Sequence, residues 1–242
     1  MAAHKSLRKG SIFRWTALLL VAMFATLMQT VTGASVAASK KTVQHNVDTT
    51  TPRIVVPLYI YPTPNAWDPL YTAIRNNPTA AFTVIINPNS GPGTSKNPPS
   101  DYASAIKQLR ATAGVNQILE LVGYVATGYG KRSAAKVQAD VAKYAGWQDA
   151  VRPDGIFFDE TSTQTKWLKR YAEYTDLVKN TNWAKTSASK STSSAKFSQK
   201  ATNVQRSAIT ILNPGTWPED KGFFTISADH IVVYEDKLSN FK

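Results

Sequence analysis

The run Gly155-Ile156-Phe157-Phe158-Asp159-Glu160 constrains this chain more than any other segment. It is an apolar stretch that stops at two adjacent carboxylates. Ile231-Val232-Val233-Tyr234-Glu235-Asp236 has the same form. Both read as buried strands whose last residues are acids. A carboxylate is costly to bury without a partner. Acids at strand mouths in α/β enzymes commonly serve chemistry at the carboxyl-terminal rim of the sheet. Two or three of them facing one cleft are the minimum equipment for glycoside hydrolysis.

The rest of the pattern places these acids on a repeating scaffold. Apolar runs at Ile54–Ile60, Phe82–Asn87, Ile118–Thr127, Gly155–Asp159, Ala208–Asn213 and His230–Glu235 read as strands. Helical spacing recurs between them. It runs over Trp67–Arg75, through Tyr102, Ile106 and Leu109, through Val137, Val141 and Tyr144 behind a Ser133 cap, and from Trp167 and Leu168 to Leu177. Alternating strands and helices imply a parallel sheet with crossover helices. The strands are almost continuously apolar, as expected when both sheet faces are covered. Polar residues gather at the strand ends: Asn87, Thr127, Asp159, Glu160, Asn213 and Glu235. The expected architecture is α/β, a (β/α)8 TIM-like barrel lacking its last one or two β/α units, because only six strands are legible. A doubly wound open sheet is the alternative.

The chain has 242 residues and 43% hydrophobic content, enough for one sizeable core. Lys5, Arg8, Lys9 and Arg14 precede an apolar segment, Trp15 to Met28, and small residues follow as far as Ala38. This is the three-part pattern of a secretory signal over residues 1–38, either cleaved or retained as a membrane anchor. Secretion to the extracellular side is therefore expected, with 39–53 a polar linker and 54–242 the catalytic domain. The net charge is +12. Many of the cations lie in a Ser/Lys-rich insertion at about 180–206 that contains no acid and reads as a solvated surface segment. It has no interleaved aromatics for base stacking, so nucleic acid is not an expected partner. The absence of cysteine excludes thiol nucleophiles and Cys-ligated metals. Of three histidines only His230 lies in the domain, so a Ser-His-Asp triad or a His-rich metal centre has little support. No metal or organic cofactor is expected, and the domain is expected to be monomeric.

Asp159 shares strand parity with Phe157, which points it to one sheet face; Glu160 reaches the same cleft only if the chain turns there. The alternative for both is capping of the following helix. Glu235 is the natural partner of Asp159, with a solvated acid at a strand exit as its alternative. Tyr59, Tyr61, Trp67, Tyr124, Tyr129 and Trp217 lie in or near strand ends. Singly each is more often core than binding surface; together they favour a saccharide cleft, because sugars present flat apolar faces. Asn87-Pro-Asn-Ser-Gly-Pro-Gly93 and Asn213-Pro-Gly215 read as rigid rim turns presenting Asn87 and Asn213. Neither these turns nor Gly128-Tyr-Gly-Lys-Arg132 has the ending of a phosphate loop.

Six blocks carry a family resemblance. They are Val56-Pro-Leu-Tyr-Ile-Tyr-Pro62, Ile85-Ile-Asn-Pro-Asn-Ser-Gly-Pro-Gly93, Gly123-Tyr-Val-Ala-Thr127, Asp154-Gly-Ile-Phe-Phe-Asp-Glu160, Leu212-Asn-Pro-Gly215 and Val233-Tyr-Glu235. In this order they resemble the spherulin-4 (spherulation-specific family 4) proteins over most of residues 54 to 236. The resemblance implies a (β/α) barrel similar to glycoside hydrolase family 135. It further implies endo-acting cleavage of α-1,4-linked N-acetylgalactosamine stretches in a galactosaminogalactan-like polymer. By motif, Asp159, Glu160 and Glu235 match the family's three functional acids: Asp159 as nucleophile or charge stabiliser, Glu235 as general acid/base, and Glu160 as supporting acid. The expected substrate-binding residues are Tyr59, Tyr61, Asn87, Tyr124, Asn213 and Trp217. The competing readings are a non-catalytic polysaccharide-binding cell-wall or spore-coat protein and, with less support, a hard-cation site on the same three acids.

Overall fold

A computed structural model of the chain describes residues 52–183 and 208–241. The amino-terminal signal and linker, and most of the Ser/Lys-rich insertion, lie outside the described residues. Six parallel strands form one sheet in sequential order: β1 (Arg53–Leu58), β2 (Ala81–Ile86), β3 (Leu119–Ala126), β4 (Gly155–Asp159), β5 (Ile209–Leu212) and β6 (His230–Ile231). Helices α1 (Asp68–Asn76), α2 (Ser100–Thr112), α3 (Ala134–Ala145) and α4 (Leu168–Asn180) fill the first four crossovers. A single 3₁₀ turn, Lys221–Phe224, stands in the fifth. The result is a curled half-barrel. A doubly wound sheet would carry its first strand inside the sheet; here β1 is an edge and each strand pairs with the next.

The period of each element explains which face it buries. Alternate strand residues point to opposite faces. Leu58, Val84, Ile86, Leu121, Val125, Ile156, Phe158 and Leu212 point outward into the larger core. The helices meet them with stripes at three- and four-residue spacing, such as Tyr102, Ile106 and Leu109 on α2 and Val137, Val141 and Tyr144 on α3. Gly123 makes one of these contacts possible. A Cβ there would lie 2.7 Å from the Tyr144 ring, whose hydroxyl donates to the Ile86 carbonyl at 3.1 Å. The inner face carries a second, smaller cluster of Ile85, Val122, Tyr124, Phe157 and Ile211. It lies directly beneath the polar rim.

Two expectations change in detail. The ladder of β6 stops at Ile231, with one further bond from Val232 to Leu212, so Glu235 stands on a loop rather than at a strand end. Residues Tyr234 to Phe241 are exposed, and among the described residues no outer strand pairs with them. Ser133 occupies the position before α3, yet its side chain makes no capping bond.

The amino-terminal end of the inner face is closed by charge. Arg53 pairs with Glu120 at 2.5 Å, both side chains less than a tenth exposed, and the Thr83 hydroxyl donates to the same carboxylate at 3.1 Å. Removing one partner of a buried pair leaves the other desolvated and uncompensated. Glu120→Ala is therefore expected to destabilise the domain by about 3–5 kcal/mol. The double change Arg53→Met, Glu120→Leu is expected to recover most of that loss. Urea unfolding of the two variants checks this, and equal stability of Glu120→Ala and wild type would show that the pair contributes nothing.

Candidate active site

Pairing of β4 with β5 sets the site. Phe158 is opposite Leu212, and the Asn213 amide donates to the Phe158 carbonyl at 2.9 Å, so Asp159 and Asn213 are neighbours at the rim. Asn213 is buried. Its Nδ2 donates to Asp159 Oδ1 at 2.8 Å and to Glu235 Oε2 at 2.9 Å, while its Oδ1 accepts from the Gly215 amide at 3.1 Å. Both N–H bonds and the carbonyl of the amide are used, which fixes its orientation. Acceptors on the two N–H bonds of one planar amide lie roughly 5 Å apart at these lengths. Glu235 is held at this distance by its own backbone, whose N–H donates to the Gly215 carbonyl at 3.1 Å. Gly215 has φ +68°, and a Cβ on it would come within 3.3 Å of Glu235 Oε2. Glycine is needed here both for the turn and for the close approach.

Two phenols stand beside the carboxylates. Tyr124, from β3, is buried above Phe157 with its phenol beside the Asp159 carboxylate. Desolvation first, then the neighbouring Asp159 carboxylate, hold this phenol far above its ordinary range. Tyr59 follows β1 and meets the Tyr124 ring edge-on at 5.7 Å. Its phenol is raised by desolvation first, then by the charges of Asp159 and Glu235. Both are neutral donors at physiological pH.

Glu160 leaves the strand by a turn. Its φ is +52°, an uncommon conformation for a residue with a side chain. The Glu160 carboxylate accepts from the Gly128 amide at 3.1 Å, and its carbonyl accepts from the Tyr129 amide at 2.6 Å and the Thr127 hydroxyl at 2.7 Å. Tyr171, on α4, supports this turn from below. Its hydroxyl lies 2.9 Å from that of Thr127 and accepts from the Ser162 amide at 2.8 Å. Thr127 was legible as a polar strand end and Tyr171 as a helix-face aromatic. Their joint role was not, because it depends on which loops meet over α4.

The other expected residues are distributed around this centre. Tyr61 donates to Asp101 at 2.8 Å and packs on Tyr102, at the start of α2. The Asn87 side chain accepts from Gly91 at 2.9 Å within its own turn. Trp217 is 68% exposed and packs on Phe224 on the β6 side. Trp67 is core: it is buried, with its indole N–H donating to the Ile60 carbonyl. Among the described residues no group of three or more His, Asp or Glu side chains is placed to hold a metal ion.

The raised phenols have a consequence for alkaline stability. Tyr124 and Tyr144 are both buried and held above the ordinary tyrosine range, chiefly by that burial. Above about pH 10 the unfolded chain loses these protons while the native state keeps them. Native stability is thus intact below that pH and falls as pH rises beyond it. In an ultraviolet phenolate titration, a group of tyrosines is expected to ionise only together with loss of near-ultraviolet circular dichroism. Ionisation of all ten tyrosines before any loss of structure would contradict this.

Comparison with known proteins agrees with these findings. Residues 53–242 match the model of spherulation-specific family 4. Spherulin-4 of Physarum polycephalum is 36% identical over 190 residues, covering 78% of this chain and 46% of that protein. The chain thus spans about half the length of this relative. The crystal structure of Aspergillus clavatus Sph3 in complex with GalNAc is similar with a TM-score of 0.64 and 34% identity, over 79% of this chain and 68% of that one. A sequential parallel half-barrel, acids at its carboxyl-terminal rim and a family match running from β1 onward lead to one assignment: the chain belongs to spherulation-specific family 4.

Proposed function

We propose that this chain is an exported, endo-acting glycoside hydrolase that cleaves an α-1,4-linked, N-acetylgalactosamine-containing polysaccharide. The observation that carries the reading is the single Asn213 amide shared by Asp159 and Glu235. The roughly 5 Å between the bridged oxygens suits a retaining pair of carboxyl groups. Asp159, held by Asn213 and Tyr124, attacks the anomeric carbon and forms a glycosyl ester. Glu235, on the more exposed loop, gives its proton to the departing oxygen. It then takes a proton from the water that opens the ester, so both side chains end as they began. Tyr59 and Tyr124 keep their protons throughout and donate hydrogen bonds. Glu160 shapes the rim beside them. The GalNAc complex of the related Aspergillus clavatus protein supports an amino-sugar substrate, and the amino-terminal pattern supports export.

The test is release of new reducing ends from N-acetylgalactosamine polymer. Asp159→Asn and Glu235→Gln are each expected to lower kcat by about 100- to 10,000-fold with the fold unchanged. Full activity in both would end the assignment, and polymer binding without cleavage by wild type would favour the cell-wall-binding alternative. Asn213→Ala frees both carboxylates without removing either. It is expected to lower kcat by about 100-fold while leaving KM nearly unchanged; a change confined to KM would instead make Asn213 a substrate contact.

A further inference from the structure

Two tyrosines lie on successive turns of α4, and their hydroxyls have opposite surroundings. Tyr171 and Tyr174 are both buried and meet edge to face, with ring centroids 5.9 Å apart. Tyr174 stacks on Phe158, and its buried hydroxyl has no hydrogen-bond partner among the described residues. A hydroxyl buried without a bond costs free energy, so the Tyr174 ring contributes packing and its oxygen nothing. The Tyr171 hydroxyl is bonded twice, to Thr127 in the loop after β3 and to Ser162 in the loop after β4.

The protons along this chain have one arrangement. The Ser162 N–H donates to the Tyr171 oxygen at 2.8 Å. The Thr127 hydroxyl lies 2.7 Å from the Glu160 carbonyl and 3.0 Å from the Asp159 carbonyl, and carbonyls only accept. Its single proton therefore goes to a carbonyl, the nearer being that of Glu160. The 2.9 Å contact between the two hydroxyls must then use the Tyr171 proton. Tyr171 donates to Thr127, and Thr127 donates to Glu160. The Glu160 carbonyl also accepts from the Tyr129 amide at 2.6 Å, and the Asp159 carbonyl from the Thr127 amide at 2.9 Å. The peptide groups on both sides of Glu160 are thus held from Thr127. Glu160 at φ +52° and Tyr129 at φ +54° occupy the left-handed region, which residues with side chains keep only where their surroundings impose it.

We propose that Tyr171 is a positioning residue for the rim acids: its hydroxyl, through Thr127 and Ser162, holds the left-handed turn at Glu160 and so fixes the backbone that carries Asp159. The effect on cleavage rests on the hydrolase reading; the hold on the turn does not. The experiment compares Tyr171→Phe with Tyr174→Phe in the full chain. Each change removes one oxygen and keeps the ring, but only the first breaks hydrogen bonds. Polymer cleavage and amide hydrogen exchange are measured on both. Tyr171→Phe is expected to lower kcat about 10- to 100-fold with KM nearly unchanged. It is also expected to speed exchange about tenfold at the Gly128 and Tyr129 amides, which bond to Glu160 and not to Tyr171. Tyr174→Phe is expected to change neither. Thr127→Val breaks the chain at its next link, and adding Tyr171→Phe to it is expected to lower kcat no further. Unchanged exchange at Gly128 and Tyr129 in Tyr171→Phe would overturn the hold, whether or not the protein cleaves the polymer. Faster exchange with full kcat, a change confined to KM, or equal loss of kcat in Tyr174→Phe would overturn the positioning role. Additive losses with Thr127→Val would overturn the route through Thr127. Faster exchange in a protein whose wild type releases no reducing ends would retain the hold on the turn and remove the hydrolase.

Discussion

The shared amide of Asn213 is the interaction on which the rim depends. Two carboxylates roughly 5 Å apart repel one another, and in a partly buried site water does not screen that repulsion fully. An amide with one N–H for each offsets the repulsion and sets the separation. Only a residue fixed at its other end can do this. Asn213 meets that condition because its backbone completes the ladder to β4 and its carbonyl oxygen is held by Gly215. Strand register, turn geometry and acid spacing are thus one constraint seen at three levels.

The environments of the two acids differ, and the difference follows from topology. Asp159 ends a strand with neighbours on both sides, so Tyr124 from one and Asn213 from the other both reach it. Glu235 follows the exit of the short strand β6 and is exposed. A nucleophile benefits from being held ionised and immobile, whereas a group that must give and take a proton benefits from access to water. The assignment of roles in the proposed mechanism therefore follows from position in the sheet.

The strands, the helices between them and the candidate acid Asp159 were legible because each is written in local pattern. Phe157 and Phe158 alternate between the two cores, and parity carries Asp159 to the inner rim. Glu235 was legible as an acid but not in its setting. Val232, Val233 and Tyr234 have the composition of a strand, yet an extended backbone needs a partner, and the ladder ends at β6. Glu160 and Tyr129 were harder still. Nothing in their side chains favours a left-handed backbone; it is imposed by bonds between two loops that lie far apart in sequence.

The inner face is polar at both ends and apolar between. At the amino-terminal end Arg53 pairs with Glu120, which also accepts from Thr83. Ile85, Val122, Phe157 and Ile211 occupy the middle, and Tyr124 begins the transition to the rim. This ordering isolates the rim acids from the only buried ion pair beneath them among the described residues. A low-dielectric layer between two charged groups leaves no counter-charge below Asp159. What stabilises its carboxylate must then come from beside it, which is where Asn213 and Tyr124 stand. The apolar middle layer thus has two effects: it supplies packing for the half-barrel, and it leaves the neighbouring strands as the source of the site's electrostatics.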